Sequence, residues 1–230
     1  MVGLSNEVML VIDCTGRPGR ILARRQGVDV RVDLGERPLS DLAAKVSEVL
    51  GGDTLGVLGF VTGPGPLLPL RSAAAFVRFF AWSQGRLVVS FRSLDPLATR
   101  LGALLGPGQR GWLLEPLGRS QVLAAEVRDD RTPRIEGVRV VGFSELAIGR
   151  DDLVAGRLRE QARKFGAQIV DIDSPSDAEL LDYADWLWRR GVVTALADLR
   201  AWYVKDSGVR RGFDVRAPDG SISRVGQARP

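Results

Sequence analysis

Histidine is absent from the 230 residues, which excludes Ser-His-Asp and Cys-His catalysis and metal sites built on imidazole. Any chemistry must run on carboxylates, arginine, lysine, hydroxyls or the single cysteine, Cys14. Asp13-Cys14-Thr15-Gly16 follows an apolar run. An aspartate at a strand end can organise Mg²⁺, and a glycine/threonine turn can receive phosphate. Asp13, Thr15 and Gly16 are therefore candidates for nucleotide binding. The alternative is that Asp13 and Thr15 satisfy backbone donors inside a turn. Cys14 has no histidine to activate it and reads as a strand-end packing residue.

Two further stretches invite a chemical reading. Gly63-Pro64-Gly65-Pro66-Leu67-Leu68-Pro69-Leu70-Arg71 joins a strand over 55–61 to a helix over 70–84. A helix N-terminus can aim its amides at an anion. The same turn can be a tight strand-to-helix connection, and its three prolines remove donors that an anion would want. Asp171 and Asp173 at a strand end could hold a metal, but Ser174-Pro175 beyond them reads as a helix entry, and carboxylates at this spacing are usually solvated. Neither a catalytic set nor a metal site is assigned.

The elements that position these residues follow from periodicity. Apolar or alternating runs place strands over 8–12, 21–25, 28–33, 55–61 and 86–91. Val28, Val30 and Val32 alternate with charged residues, so one face of that strand is solvated. Leu39, Leu42, Ala43, Val46, Val49 and Leu50 mark an amphipathic helix, with Ser40 or Asp41 as cap and Gly51-Gly52 as stop. A third helix spans 94–105. The helix at 70–84 is apolar nearly all round: Leu70, Ala74, Val77 and Ala81 form one face, and Phe79 and Trp82 fall outside it. Such a helix is covered on both sides, by a second layer of this chain or by a partner.

After Gly108 the pattern restarts. Strands are expected over 111–114, 121–127 and 134–141, a helix over 151–165, a strand over 168–172 and a last helix from the Ser174-Pro175-Ser176-Asp177 entry to Arg190. The last 25 residues are polar and basic and read as a loose tail. Duplicated β-β-β-α-β-α order is the arrangement of the actin-like (ASKHA, ribonuclease H-like) fold. The expected division is a first lobe over 1–107, a second over 108–205 and a tail over 206–230.

Composition sets outer limits. The hydrophobic share is 45%, the charged share 26% and the formal net charge +4, values ordinary for a globular chain and permissive of RNA contact. No apolar run reaches the ~20 residues that span a bilayer, so no membrane partner is expected. With one cysteine and no leader pattern at residues 1–6, the expected location is cytoplasmic.

Several motifs resemble one family in order along the chain. Met9-Leu10-Val11-Ile12-Asp13-Cys14-Thr15 resembles the I-L-A-I-D-T-S/T opening of TsaB (YeaZ) proteins. The 63–71 stretch is similar to their G-P-G-S-F-T-G-L-R. Val88-Val89-Ser90-Phe91-Arg92-Ser93-Leu94 with Leu97-Ala98 is similar to their V-S-S-L…L-A. Glu115-Pro116-Leu117-Gly118-Arg119-Ser120-Gln121-Val122 resembles D-A-R-x-G-E-V-Y, and Ala201-Trp202-Tyr203-Val204-Lys205 resembles P-x-Y-L-R.

The resemblance implies a non-catalytic dimerisation subunit. Its partners would be a larger homologue, TsaD, and the ATPase TsaE, in installing threonylcarbamoyl on adenosine of ANN-decoding tRNAs. It implies a partner surface on the helices over 39–50 and 70–84, with Leu42, Val46, Arg71, Ala75, Phe76, Arg78, Phe79, Phe80 and Trp82 as interface residues. No cofactor binds independently; ATP and Mg²⁺ enter only within the complex, and tRNA contact is indirect. The chain departs from the family at Pro66, Leu68 and Pro69, where serine, threonine and glycine are usual. It also lacks the histidine expected near 35–40 and has Glu115 in place of an aspartate. Two other readings stand beside this one: an actin-like ATP-binding enzyme using Asp13 and Thr15, and a homodimeric interaction protein that has lost the tRNA role. RNA contact through the basic tail with Trp202 and Tyr203 is a third.

Overall fold

A computed structural model of the chain describes residues 7–35, 38–117, 121–128, 134–202, 214–216 and 222–224. The apolar runs at 8–12 and 55–61 become neighbouring central strands. β1 (Glu7–Asp13), β2 (Arg20–Arg25) and β3 (Val28–Asp33) form an antiparallel meander; β4 (Thr54–Val61) and β5 (Val88–Phe91) continue parallel to β1. The order is β3-β2-β1-β4-β5. The second sheet repeats it with β6 (Arg110–Leu117), β7 (Gln121–Arg128), β8 (Arg134–Gly142), β9 (Leu153–Ala155) and β10 (Gln168–Ile169), in the order β8-β7-β6-β9-β10. Strand senses match throughout. The chain has a duplicated actin-like fold with two lobes, as its element order predicts.

Both faces of the first sheet are apolar, so both must be covered. On one face Leu10, Ile12, Leu58 and Phe60 pack under helices α1 (Pro38–Leu50) and α2 (Leu67–Ser83). On the other, Val11, Leu22, Val57, Val61 and Val89 pack against Leu180, Leu181, Ala184 and Leu187 of α4 (Asp177–Arg189). Helix α4 follows the second sheet in sequence but covers the first. Conversely α3 (Leu94–Gly102), which follows the first sheet, lays Leu94, Leu97, Ala98 and Leu101 on Leu113, Leu123 and Ala125 of the second. The lobes thus exchange helices across the expected division at 107/108: α4 and Leu199 pack on the first sheet, α3 and Trp202 on the second core.

Other boundaries shift for local reasons. Helix α2 starts three residues before the expected 70, because Pro69 falls in its first turn, where a missing N–H is harmless. Helix α1 starts at Pro38, which places Ser40 and Asp41 inside the helix rather than at its cap. The helix expected over 151–165 is absent. Leu153-Val154-Ala155 is the buried strand β9, and residues Arg159–Phe165 form a 3-10 turn. Asp152, expected in that helix's first turn, is buried and accepts bonds from Arg110, Trp112 and the Gly149 amide. Val28 and Val30 lie exposed on edge strand β3. In the expected tail, β11 (Asp214–Arg216) pairs with β12 (Ile222–Arg224). Tyr203, the 118–120 turn, residues 36–37 and the remaining tail arginines lie outside the described residues.

The returning segment after α4 is tied at two points. Thr194 N–H donates to the Val88 carbonyl at 2.7 Å, extending the β5 edge, and Trp202 N–H donates to the Thr62 carbonyl at 2.6 Å. Leu199 between them is buried in the first core. This return requires Gly63: its φ is +144°, and a Cβ there would collide with the Trp202 carbonyl. Gly63→Ala should therefore lower stability by about 2 kcal/mol or more, read as a lower urea midpoint with an unchanged slope.

Candidate functional site

Strands β1 and β6 end at a cleft between the lobes, a cavity of about 280 Å³ lined by Asp13, Thr15, Arg17, Arg20, Glu115 and Arg157 among others. Asp13 is 2% exposed. Its Oδ1 accepts the Thr15 N–H at 2.9 Å and the Thr15 hydroxyl at 2.6 Å; its Oδ2 accepts Arg20 Nε at 2.9 Å. Arg20 lies directly opposite Asp13 in the β1–β2 register, which is why the two meet. The other end of Arg20 bonds Asp177 at the start of α4, which Arg31 also reaches. In the second lobe Arg157 Nε donates to Glu115 Oε2 at 2.5 Å. Each lobe thus presents a buried strand-end carboxylate already bound by an arginine.

Magnesium does not fit at Asp13 in this arrangement. Both Asp13 oxygens are engaged, and the guanidinium beside them repels a cation. A Cβ on Gly65 would fall 2.7 Å from Thr15 Cα, so the Gly-Pro turn lies directly against the Asp13–Gly16 turn. The Gly63 carbonyl accepts the Ser93 N–H at 2.9 Å. The 63–66 turn therefore acts as a packed junction between lobes, the structural alternative of the two readings. Asp171 and Asp173, weighed as metal ligands, both pair with Arg159. Among the described residues, no group of three or more histidine, cysteine or acidic side chains is placed to hold a metal.

Burial pushes the Cys14 thiol up to about 12, helped by the nearby Asp13 charge. It is therefore a packing residue rather than a nucleophile. Burial also raises Glu115 above its ordinary range, and the Arg157 guanidinium offsets only part of that.

The interface candidates divide sharply. Leu42 and Val46 are 1% exposed and belong to the first core, so they are corrected from partner surface to core. Phe76 and Phe80 stack on each other with centroids 5.5 Å apart and lie half-buried against the same core. Arg71, Ala75, Arg78, Phe79 and Trp82 share the outer face of α2, with Phe79 66% and Trp82 71% exposed. Leu67 and Leu68 continue that exposed face, and Leu196 of the returning segment joins a groove of about 450 Å³ beside it. None of these three was singled out from sequence as surface. Leu68 carried a signal, since backward extension of the α2 period puts it beside Phe79, and Leu67 falls at the Arg78 end of the same exposed arc. Trp202, read as an exposed stacking residue, is half-buried against the second core. No helix among the described residues is long and apolar enough to cross a membrane.

The fold and the cleft define a two-lobe actin-like protein. No protein-family model and no curated protein matches its sequence. Solved structures do match. YeaZ from Pseudomonas aeruginosa superposes with a TM-score of 0.65 at 18% identity, covering 86% of this chain and 100% of that one. A second structure, an uncharacterized protein with similarity to the peptidase YeaZ from the same organism, gives the same values. At this identity the likeness establishes a shared fold.

Two measurements follow from the buried groups. In the native protein at pH 8, Cys14 should resist a thiol reagent such as dithionitrobenzoate, and react at once in denaturant. Glu115 has a folded pKa above its unfolded value near 4.5, so the stability it contributes is complete below that value and lost as pH rises through the folded pKa. Glu115→Gln, which cannot titrate, should show a gentler fall in urea midpoint from pH 4.5 upwards than the wild type.

Proposed function

We propose that this chain is a TsaB-like, non-catalytic scaffold subunit that docks on a TsaD-like homologue through the outer face of α2. In that role it would serve, with a TsaE-like ATPase, in tRNA threonylcarbamoyladenosine formation. The observation that carries the reading is the exposed pair Phe79 and Trp82, 6.2 Å apart on a helix whose opposite face is already buried. The helix was expected to be covered on two sides, and the chain itself covers one. A contiguous aromatic and aliphatic face of this kind favours a protein partner. The arginine-bound acids of the cleft support a subunit without its own ATP chemistry, and weigh against an enzyme using Asp13 and Thr15. The ordered matches to TsaB motifs and the shared YeaZ fold support the identity of the partner.

The test is light scattering on size-exclusion runs of the chain alone and mixed with the TsaD-like protein of the same organism. A one-to-one complex is expected. Because Phe79 is exposed, Phe79→Asp should leave the melting temperature within about 2 °C of wild type and abolish the complex. A homodimer indifferent to the TsaD-like protein would sink the reading.

A further inference from the structure

The charge pattern of the α2 face specifies its partner more narrowly than its apolarity does. At about 100° per residue, Leu67, Arg78, Arg71, Trp82, Ala75, Leu68 and Phe79 follow one another around an arc of about 120°. All are exposed. The 17 residues of α2 include two arginines and no acidic side chain. Among the described residues, neither Arg71 nor Arg78 meets a carboxylate. Arg17, Arg86, Arg150 and Arg200 likewise meet no carboxylate among the described residues, whereas Arg20, Arg24, Arg25, Arg31, Arg92, Arg100, Arg110, Arg157 and Arg159 are paired. What distinguishes Arg71 and Arg78 is their place on an exposed apolar face.

Resting on the scaffold reading above, we propose that the α2 face is built for an unlike protein whose docking surface sets carboxylates around an apolar anchor, and not for a second copy of this chain. The groove between Phe79, Trp82 and Leu196, floored by Ala75, accepts one apolar side chain of the partner. Arg78 lines that groove, and Arg71 lies seven residues earlier beside it on the same arc of α2. Burying them unpaired is unfavourable, so the partner must bring acceptors. A two-fold axis joining α2 to its own copy near Ala75 would gather four guanidiniums and no carboxylate from these helices, and such like-charge contacts oppose pairing. RNA also offers anions, but Leu67, Leu68 and Leu196 extend the face with apolar surface where a phosphate backbone needs cations.

The experiment measures affinity for the TsaD-like protein by titration calorimetry, with Arg71→Glu/Arg78→Glu and Arg71→Ala/Arg78→Ala beside the wild type. Raising salt from about 0.05 to 0.5 M should weaken the wild-type complex, and charge reversal should weaken it at least about tenfold at low salt. The alanine pair should bind less tightly than wild type and lose most of the salt dependence. Melting temperatures should stay unchanged, because both side chains are exposed. A complex that forms with the same affinity in all three variants overturns this inference and leaves the scaffold reading standing. Failure to form any complex removes both. A homodimer of the chain alone that charge reversal alters, or displacement of the partner by tRNA dependent on Arg71 and Arg78, overturns the inference in favour of self-association or RNA.

Discussion

Two-sided burial of the first sheet is the constraint on which the rest of the structure depends. Strands β1 and β4 carry apolar residues on both faces, and such strands are stable only under cover on each side. Helices α1 and α2 lie close in sequence and cover one side. The other can be closed only by chain that has already built the second lobe, which is why α4 crosses back. The lobes are therefore not independent units joined by a linker. Each contributes a helix to the other's core, and the return of residues 194–202 along β5 and across Gly63 completes the exchange.

The helix exchange explains why some of the fold is legible in the sequence and some is not. Strand runs and the α2 period are local signals, and they locate nine of the ten strands of the two five-stranded sheets within a few residues. The destination of α4 is not local: its apolar face, Leu180, Leu181, Ala184 and Leu187, would suit either sheet, and only the tertiary arrangement assigns it. The misread segment over 151–165 shows competition between two local patterns. Leu158, Ala162 and Phe165 suggest a helical period, but Gly156 has φ +95° and lies so close to Leu114 that a Cβ would clash. That glycine ends β9 and leaves too little regular sequence for a helix.

The candidate site was legible in kind more than in detail. Asp13 and Thr15 occupy the cleft as their motif suggests, but their chemistry is set by Arg20, seven residues on and paired across the hairpin. That partner could have been read from a hairpin register; Arg157 beside Glu115 could not, since it arrives through the β9 crossover. On α2 the aromatic excess was visible, and the direction of each ring was not. Phe76 and Phe80 turn inward and stack, whereas Phe79 and Trp82 turn outward. Leu42 and Val46 belong to a regular amphipathic period, and such a period marks the face turned to the chain's own core.

The cleft and the helix face follow one logic of charge. At the cleft, the buried carboxylates Asp13 and Glu115 are each bound by an arginine of the same chain. On α2, arginines stand without such partners beside the most exposed aromatic rings of the described residues. Ion pairing that is complete inside one molecule stabilises that molecule alone. Where charge is left unpaired next to apolar surface, favourable burial needs a second molecule that supplies both the apolar contact and the acceptors. In the proposed scaffold reading, the recognition surface of this chain lies outside the actin-like cleft, on the back of the helix that the Gly63–Pro66 junction launches.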